Sequence, residues 1–296
     1  MLRLYDSLMG LLGRAKAKIE YRFLPAFYRN TLGIERNGFY SKYCKEMRKI
    51  YEESGNSSKM SEEIRQLRFS HLAVIGKVEC DAFAKSIEKE FEGVDDPVKS
   101  LEQEKAVKYA DEIFGILKSI DSKLISFYKS YYIPYWIQIQ RNNPGQAQAG
   151  SAFQWHTDDN PTGVMKIFVY LNDVKKSNGA FRAFPKWSTT YLFLRGFRSN
   201  GIQTRVDAQP LVNRYLKKYP HRLKILEGDT GTLLGFDNNL VHKGTLPEMG
   251  YRHVVQILLY PSNKPLNFQV VERALLSKRD RDYPSNPYEE LVQEKV

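Results

Sequence analysis

The stretch Gln154-Trp155-His156-Thr157-Asp158-Asp159 decides how the rest of the chain is read. In extended backbone, side chains alternate between faces, so His156 and Asp158 point the same way. An imidazole beside a carboxylate supplies two of the three donors of a 2-His-1-carboxylate triad, the set that holds non-heme Fe(II). The third donor must come from elsewhere, and His242 in Asn239-Leu240-Val241-His242-Lys243-Gly244 is the candidate. Arg252 follows ten residues later and opens the apolar run Val254-Val255-Gln256-Ile257-Leu258-Leu259. An arginine fork binds a carboxylate through two parallel hydrogen bonds. A His-x-Asp alone also occurs as a surface polar pair. The order and spacing of His156, Asp158, His242 and Arg252 together carry the metal reading.

Around this stretch the texture is that of short strands. Tyr135-Trp136-Ile137-Gln138-Ile139-Gln140 alternates and is aromatic, and Asn143-Pro144-Gly145 turns it. Further strands are expected at Val164–Leu171, Ala180–Phe184, Gly231–Phe236 and Tyr251–Tyr260. Upstream the periods are helical: residues 38–53, residues 61–67 with a start at Ser61-Glu62-Glu63, and a helix from Asp81 through Phe91. His71–Gly76 is strand-like. Pro97 opens a helical region to about Ser130, striped by Ile113, Ile116, Leu117, Ile120, Leu124 and Phe127. The expected fold class is α+β: the short strands suggest an all-β sandwich or jelly roll, preceded by a mainly helical N-terminal region.

The chain resembles the phytanoyl-CoA dioxygenase family of Fe(II)/2-oxoglutarate oxygenases over about residues 68–262. The residues that carry the resemblance are Trp155-His156-Thr157-Asp158, Gly179-Ala180-Phe181-Arg182-Ala183-Phe184-Pro185, Gly228-Asp229-Thr230-Gly231-Thr232-Leu233-Leu234 with His242, and Arg252. After Pro185 the chain reads Lys186-Trp187-Ser188 where the family has Gly-Ser-His, so substrate identity does not carry over. The resemblance implies a double-stranded β-helix, with iron held by His156, Asp158 and His242 and Arg252 on the far carboxylate of 2-oxoglutarate. It also implies oxidative decarboxylation to succinate and CO2, coupled to hydroxylation of an unactivated C–H bond. Halogenases of the superfamily lack the carboxylate, so Asp158 favours hydroxylation. Asn143, Gln138 and Thr245 are candidate further contacts to 2-oxoglutarate, with a turn role as the alternative for Asn143. The expected division is a helical extension at 1–67, the oxygenase domain at 68–262 and a charged tail at 263–296.

The other histidines read plainly: His253 faces away from Arg252 on its strand, and His71 and His221 have no carboxylate at ligand spacing. Asp159, one residue out of phase, is expected to face away from the metal, with support of a ligand from behind as the alternative. Trp155 packs in the core.

Charge and composition bound the partners. The net charge of +11 is local: residues 186–225 carry +8, residues 1–30 carry +4 and the remainder −1. Local basic excess fits an anionic partner, or else a solvated face. The stretch from Trp187 to Pro210 reads as a long loop beside the substrate, with Arg195, Arg198 and Arg205 as candidate contacts to phosphate or carboxylate. The expected substrate is an anionic small molecule or a lipid- or glycan-type molecule. Residues 1–20 have helical apolar spacing followed by basic residues, which suits either packing on the domain or peripheral membrane contact. No run of 18 apolar residues is present and no signal peptide is read. Two cysteines, Cys44 and Cys80, without a CxxC pair, fit free thiols in a reducing, cytoplasmic compartment. No nucleic-acid-binding signature stands out. Two other readings stand beside the oxygenase. One is a cupin-like isomerase, which has no need of Arg252; the other is a non-catalytic membrane-surface or nucleic-acid binder, which leaves the donor set unexplained.

Overall fold

Successive strands of the second half cross back and forth between two sheets, and this alternation defines the architecture. The computed structural model describes residues 39–55, 60–146, 148–158, 160, 163–199 and 202–277. The amphipathic segment at 1–20, Asp159 and the chain end after 277 lie outside them.

In chain order the elements begin with helices α1 (Phe39–Glu53) and α2 (Glu62–Ser70), then strand β1 (Leu72–Lys77), helix α3 (Asp81–Glu90) and strand β2 (Val98–Ser100). Helices α4 (Gln103–Ala106), α5 (Ala110–Ser119) and α6 (Asp121–Tyr128) lead to strands β3 (Tyr131–Asn142), β4 (Met165–Tyr170) and β5 (Phe181–Ala183). Helices α7 (Lys186–Leu194) and α8 (Ile202–Lys218) precede strands β6 (Lys224–Leu226), β7 (Thr232–Asp237), β8 (His242–Lys243) and β9 (Arg252–Ser262), and helix α9 (Phe268–Leu276) follows.

The large sheet has the order β1-β7-β4-β9-β3-β2 and the small one β6-β5-β8. All pairings are antiparallel. An isolated bridge between His156 and His242 extends the small sheet past β8. From β3 the chain runs large sheet, residue 156 in the small sheet, β4 large, β5 small; from β6 it runs small, large, small, large. That is a double-stranded β-helix, the jelly-roll form expected from the sequence.

Period-two alternation places the side chains. Ile137, Ile139, Met165, Ile167, Val169, Leu233, Val255, Ile257 and Leu259 face outward into the main core, where Ile64, Phe83, Ile87, Ile113, Leu117, Leu124 and Val271 cover them. Phe168, Tyr170, Leu234, Phe236 and Val254 face inward and pack on Phe181, Ala183 and Leu240 between the sheets. Burial on both faces explains why β4 and β9 read as near-continuous apolar runs. Pro134, which has no N–H to give, sits at the register shift in β3 between Pro134 and Trp136, where a ladder tolerates it. Gly231, at φ +86°, lets the chain turn into β7; a Cβ there would lie 1.9 Å from the Val78 carbonyl oxygen.

Three expectations are corrected. The region after Pro97 begins as strand β2, paired with the end of β3, and turns helical only from Gln103. The stretch from Trp187 to Pro210 lies largely in helices α7 and α8, whose Leu192, Phe193, Ala208, Val212 and Tyr215 pack with Trp155 and Phe184. The helical region before residue 68 packs on the sheet through Ile64 and Leu67, which belong to the main core. The expected tail opens with α9, capped by the Asn267 side chain on the Val270 amide and packed on β3 through Val271, Ala274 and Leu275. Cys44 and Cys80 are buried and form no disulfide.

Candidate metal centre and anion pocket

Bridge pairing sets the two histidines side by side. The His156 amide donates to the His242 carbonyl and the reverse, both at 2.9 Å, and the ring centroids are 4.3 Å apart. Each Nδ1 sits 2.8 Å from the carbonyl two residues back, Gln154 for His156 and Leu240 for His242. A carbonyl only accepts, so each Nδ1 carries the proton and each Nε2 presents a lone pair. Asp158 joins them because its amide donates to the Asn238 carbonyl at 3.0 Å. Its Oδ1 is 3.4 Å from His156 Nε2, and its Oδ2 is 3.9 Å from His242 Nε2. One donor atom from each of the three residues lies within 4.8 Å of the others. Phe181 and Phe236 wall the His242 ring at 5.5 and 5.7 Å between centroids.

The electrostatics suit a cation. Burial alone would raise the Asp158 carboxyl, but Lys166, whose Nζ lies 2.6 Å from Oδ2, and both imidazoles hold it well below the usual carboxylate range. Burial first, then neighbouring His156, pushes His242 down to about 3, against Asp158. On the opposite face of β9, burial and Arg141 push His253 to about 4, against Glu88. Both imidazoles therefore stay neutral at neutral pH. Their folded values lie below the ordinary 6.5, so between those values the unfolded chain binds more protons and stability falls as pH falls. In EDTA, the urea midpoint is expected to drop steadily between pH 6.5 and 4, each histidine contributing up to about 1.4 kcal/mol per pH unit. A flat profile across that window would contradict the burial of both rings.

Arg252 lies in the barrel interior, 3 % exposed. Its Nε and Nη2 donate to Asn142 Oδ1 at 3.2 and 2.7 Å, and its Nη1 donates to the Gly179 carbonyl. Among the described residues no carboxylate stands within ion-pair distance of it. Two buried polar atoms nearby lack partners, Asn142 Nδ2 and Thr245 Oγ1. Thr245 packs on Gly179, where φ is +96° and a Cβ would meet the Thr245 carbonyl oxygen at 2.6 Å. A buried guanidinium and two orphaned donors are the fittings of an anion pocket.

Other expected residues are placed differently. Asn143 is committed to its turn: its Nδ2 donates to the Val94 and Asp96 carbonyls and its Oδ1 accepts from Arg141. The neighbouring Asn142, which sequence reasoning missed, reaches Arg252 across the β3–β9 pairing, a register that the sequence does not give. Gln138 borders a surface groove with Ser100, Glu102 and Leu275, and no described contact joins it to Arg252. Arg198 Nη1 donates to the Phe193 and Phe197 carbonyls, Arg205 donates to the Ser199 and Gly150 carbonyls, and Arg195 lies 5.6 Å over the Tyr191 ring. These described contacts brace the α7–α8 connection, which puts Ser199 Oγ on the Thr157 amide at 2.9 Å. His71 does find a carboxylate, Asp237 at 3.0 Å, which a separation of 166 residues hid from the sequence. His253 stacks on Phe91, away from Arg252 as expected. Lys166 was also missed; its signal is a charged residue on the inward phase of Phe168 and Tyr170.

Fold and donor set together define a double-stranded β-helix carrying a 2-His-1-carboxylate site. No family model matches the chain, and no curated protein sequence matches it. Among solved structures it is similar to the non-heme alpha ketoglutarate dependent carbocyclase SnoK from nogalamycin biosynthesis, at 14 % identity and TM-score 0.48, covering 70 % of this chain and 87 % of that one. It is similar to EctD from S. alaskensis with bound Fe, at 14 % identity and TM-score 0.47, covering 75 % and 87 %. It is also similar to HygX from Streptomyces hygroscopicus with nickel and 2-oxoglutarate bound, at 14 % identity and TM-score 0.45, covering 70 % and 89 %. The fold assignment rests on the strand order of this chain. Among the described residues, no helix is long and apolar enough to cross a membrane.

Proposed function

We propose that the chain is an Fe(II)/2-oxoglutarate-dependent oxygenase that hydroxylates an unactivated C–H bond, with succinate and CO2 as coproducts. The carrying observation is the pair of backbone-tied imidazoles converging with Asp158, inside the barrel that also buries Arg252 without a carboxylate. His156, Asp158 and His242 would hold the iron through two neutral nitrogens and one oxygen anion. Arg252 would bind the far carboxylate of 2-oxoglutarate, with Asn142 and Thr245 completing its hydrogen bonds. Bound iron supplies the oxygen chemistry, which none of these side chains can perform alone. Phe181 and Phe236, packed on the His242 ring, would keep water from that side of the centre.

The resemblance to the phytanoyl-CoA dioxygenase family and the anionic substrate belong to the same proposal. The anion is supported by the +8 charge of residues 186–225. Its expected contacts, Arg195, Arg198 and Arg205, brace the connection beside Thr157, so they would act from the rim. The test is succinate release from 2-oxoglutarate with Fe(II), run against acyl-CoA, phospholipid and nucleotide-sugar panels beside neutral analogues. Stimulation by one anionic class supports the reading. Absence of any Fe(II)-dependent succinate, with or without substrate, would contradict it and favour a cupin-type metal protein.

A further inference from the structure

Lys166 enters the barrel from β4 on the inward phase, opposite Phe236 of β7 and Leu258 of β9. A lysine this buried is seldom found without a partner. Its ammonium lies 2.6 Å from Asp158 Oδ2 and 5.9 Å from the Phe236 ring centroid. The two oxygens of Asp158 are therefore not equivalent. Oδ1 stands 3.4 Å from His156 Nε2, whereas Oδ2 is held by the ammonium and stands 3.9 Å from His242 Nε2. Neighbouring donors around a six-coordinate cation with bonds of ~2.1 Å are ~3.0 Å apart. Oδ1, 3.4 Å from His156 Nε2, comes within a few tenths of an ångström of that spacing, while Oδ2 is engaged by the ammonium.

We propose that Lys166 is a positioning residue of the metal centre: by holding Oδ2 it makes Asp158 a one-oxygen ligand and weakens its pull on the cation. The inference rests on the metal reading of the triad. A carboxylate free to turn could offer both oxygens and fill a position that a chelating 2-oxo acid needs. An ammonium fixed on one oxygen blocks that turn and shares the negative charge. Lysine suits the task as a compact point charge on a long stem; an arginine fork would take both oxygens.

The test is anaerobic Co(II) titration of the full chain, followed by visible absorption, on wild type, Lys166→Met, Lys166→Gln and Lys166→Arg. Removing a unit charge beside a dication is expected to tighten Co(II) binding on the order of tenfold or more in both neutral variants. Their Co(II) spectra should change as the second oxygen joins. Lys166→Arg, which keeps the charge and can fork onto both oxygens, should not tighten Co(II) binding. Unchanged or weaker affinity in the neutral variants, or a wild-type spectrum in both, overturns the inference and leaves Lys166 a structural ion pair. Failure of the wild type itself to bind Co(II) overturns the metal reading beneath it, a result distinct from any variant effect.

Discussion

Alanine at His156 or His242 is expected to weaken Fe(II) binding by more than ~100-fold, since even residues behind the ligands cost 10–100-fold when removed. Metal-dependent succinate formation should fall with it. Each imidazole is tied at Nδ1 to a backbone carbonyl, so the site is organised before metal arrives. Removing one ring takes away a donor that no neighbour replaces, because the surrounding wall is aromatic. Asp158 needs a different control. Its loss leaves the Lys166 ammonium buried without this partner, a defect of about 3–5 kcal/mol in stability. Asp158→Ala should therefore lose metal and also melt earlier in EDTA, whereas His156→Ala and His242→Ala should lose metal with less effect on the metal-free protein. Anaerobic iron titration beside thermal melts separates the two. Wild-type affinity in all three variants would remove the site.

Much of this was legible in the sequence because it depends on short-range periodicity. His-x-Asp works on any strand, so the shared face of His156 and Asp158 followed from alternation alone. The outward phase of His253 followed in the same way, whereas Arg252 was singled out by its place ten residues after His242 and by the family resemblance. What the chain order could not give were contacts set by pairing between distant strands. Asn142 meets Arg252 only because β3 and β9 lie in that register, and His71 meets Asp237 only because β1 lies beside β7. The expected loop from Trp187 to Pro210 was a different failure. Its length and its arginines suggested a loop beside the substrate, but Ala208, Leu211, Val212, Tyr215, Leu216 and Tyr219 recur at helical spacing and pack with Trp155 and Phe184. The same arithmetic on Val270, Val271, Ala274 and Leu275 would have moved α9 out of the charged tail. Lys166 was passed over because one charge in Met165–Tyr170 does not disturb a strand assignment. Its meaning depends on Asp158 being within reach.

Arg252→Ala should uncouple the cosubstrate from the metal. Arg252 is fully inside the barrel, and burial presses its guanidinium toward the neutral form, with Tyr170 opposing. Asn142 and Gly179 offer it only neutral oxygens. A cation in that setting would gain most from an incoming carboxylate, which would also offer partners to the orphaned Asn142 Nδ2 and Thr245 Oγ1. Truncating one partner of such a buried charge pair costs on the order of 2–5 kcal/mol. That is about 30- to 5,000-fold in 2-oxoglutarate affinity. Fe(II) or Co(II) affinity should stay near wild type, because no described contact links Arg252 to His156, Asp158 or His242. Arg252→Lys keeps the charge but loses the fork, and should fall between the two. Asn142→Ala should weaken 2-oxoglutarate less than Arg252→Ala, since it removes a neutral hydrogen bond and leaves the guanidinium. Calorimetric titration of 2-oxoglutarate into the metal-loaded variants reads all three. Unchanged 2-oxoglutarate affinity in Arg252→Ala would mean that the buried guanidinium serves the fold alone, and that the cosubstrate is held elsewhere or is not a dicarboxylate.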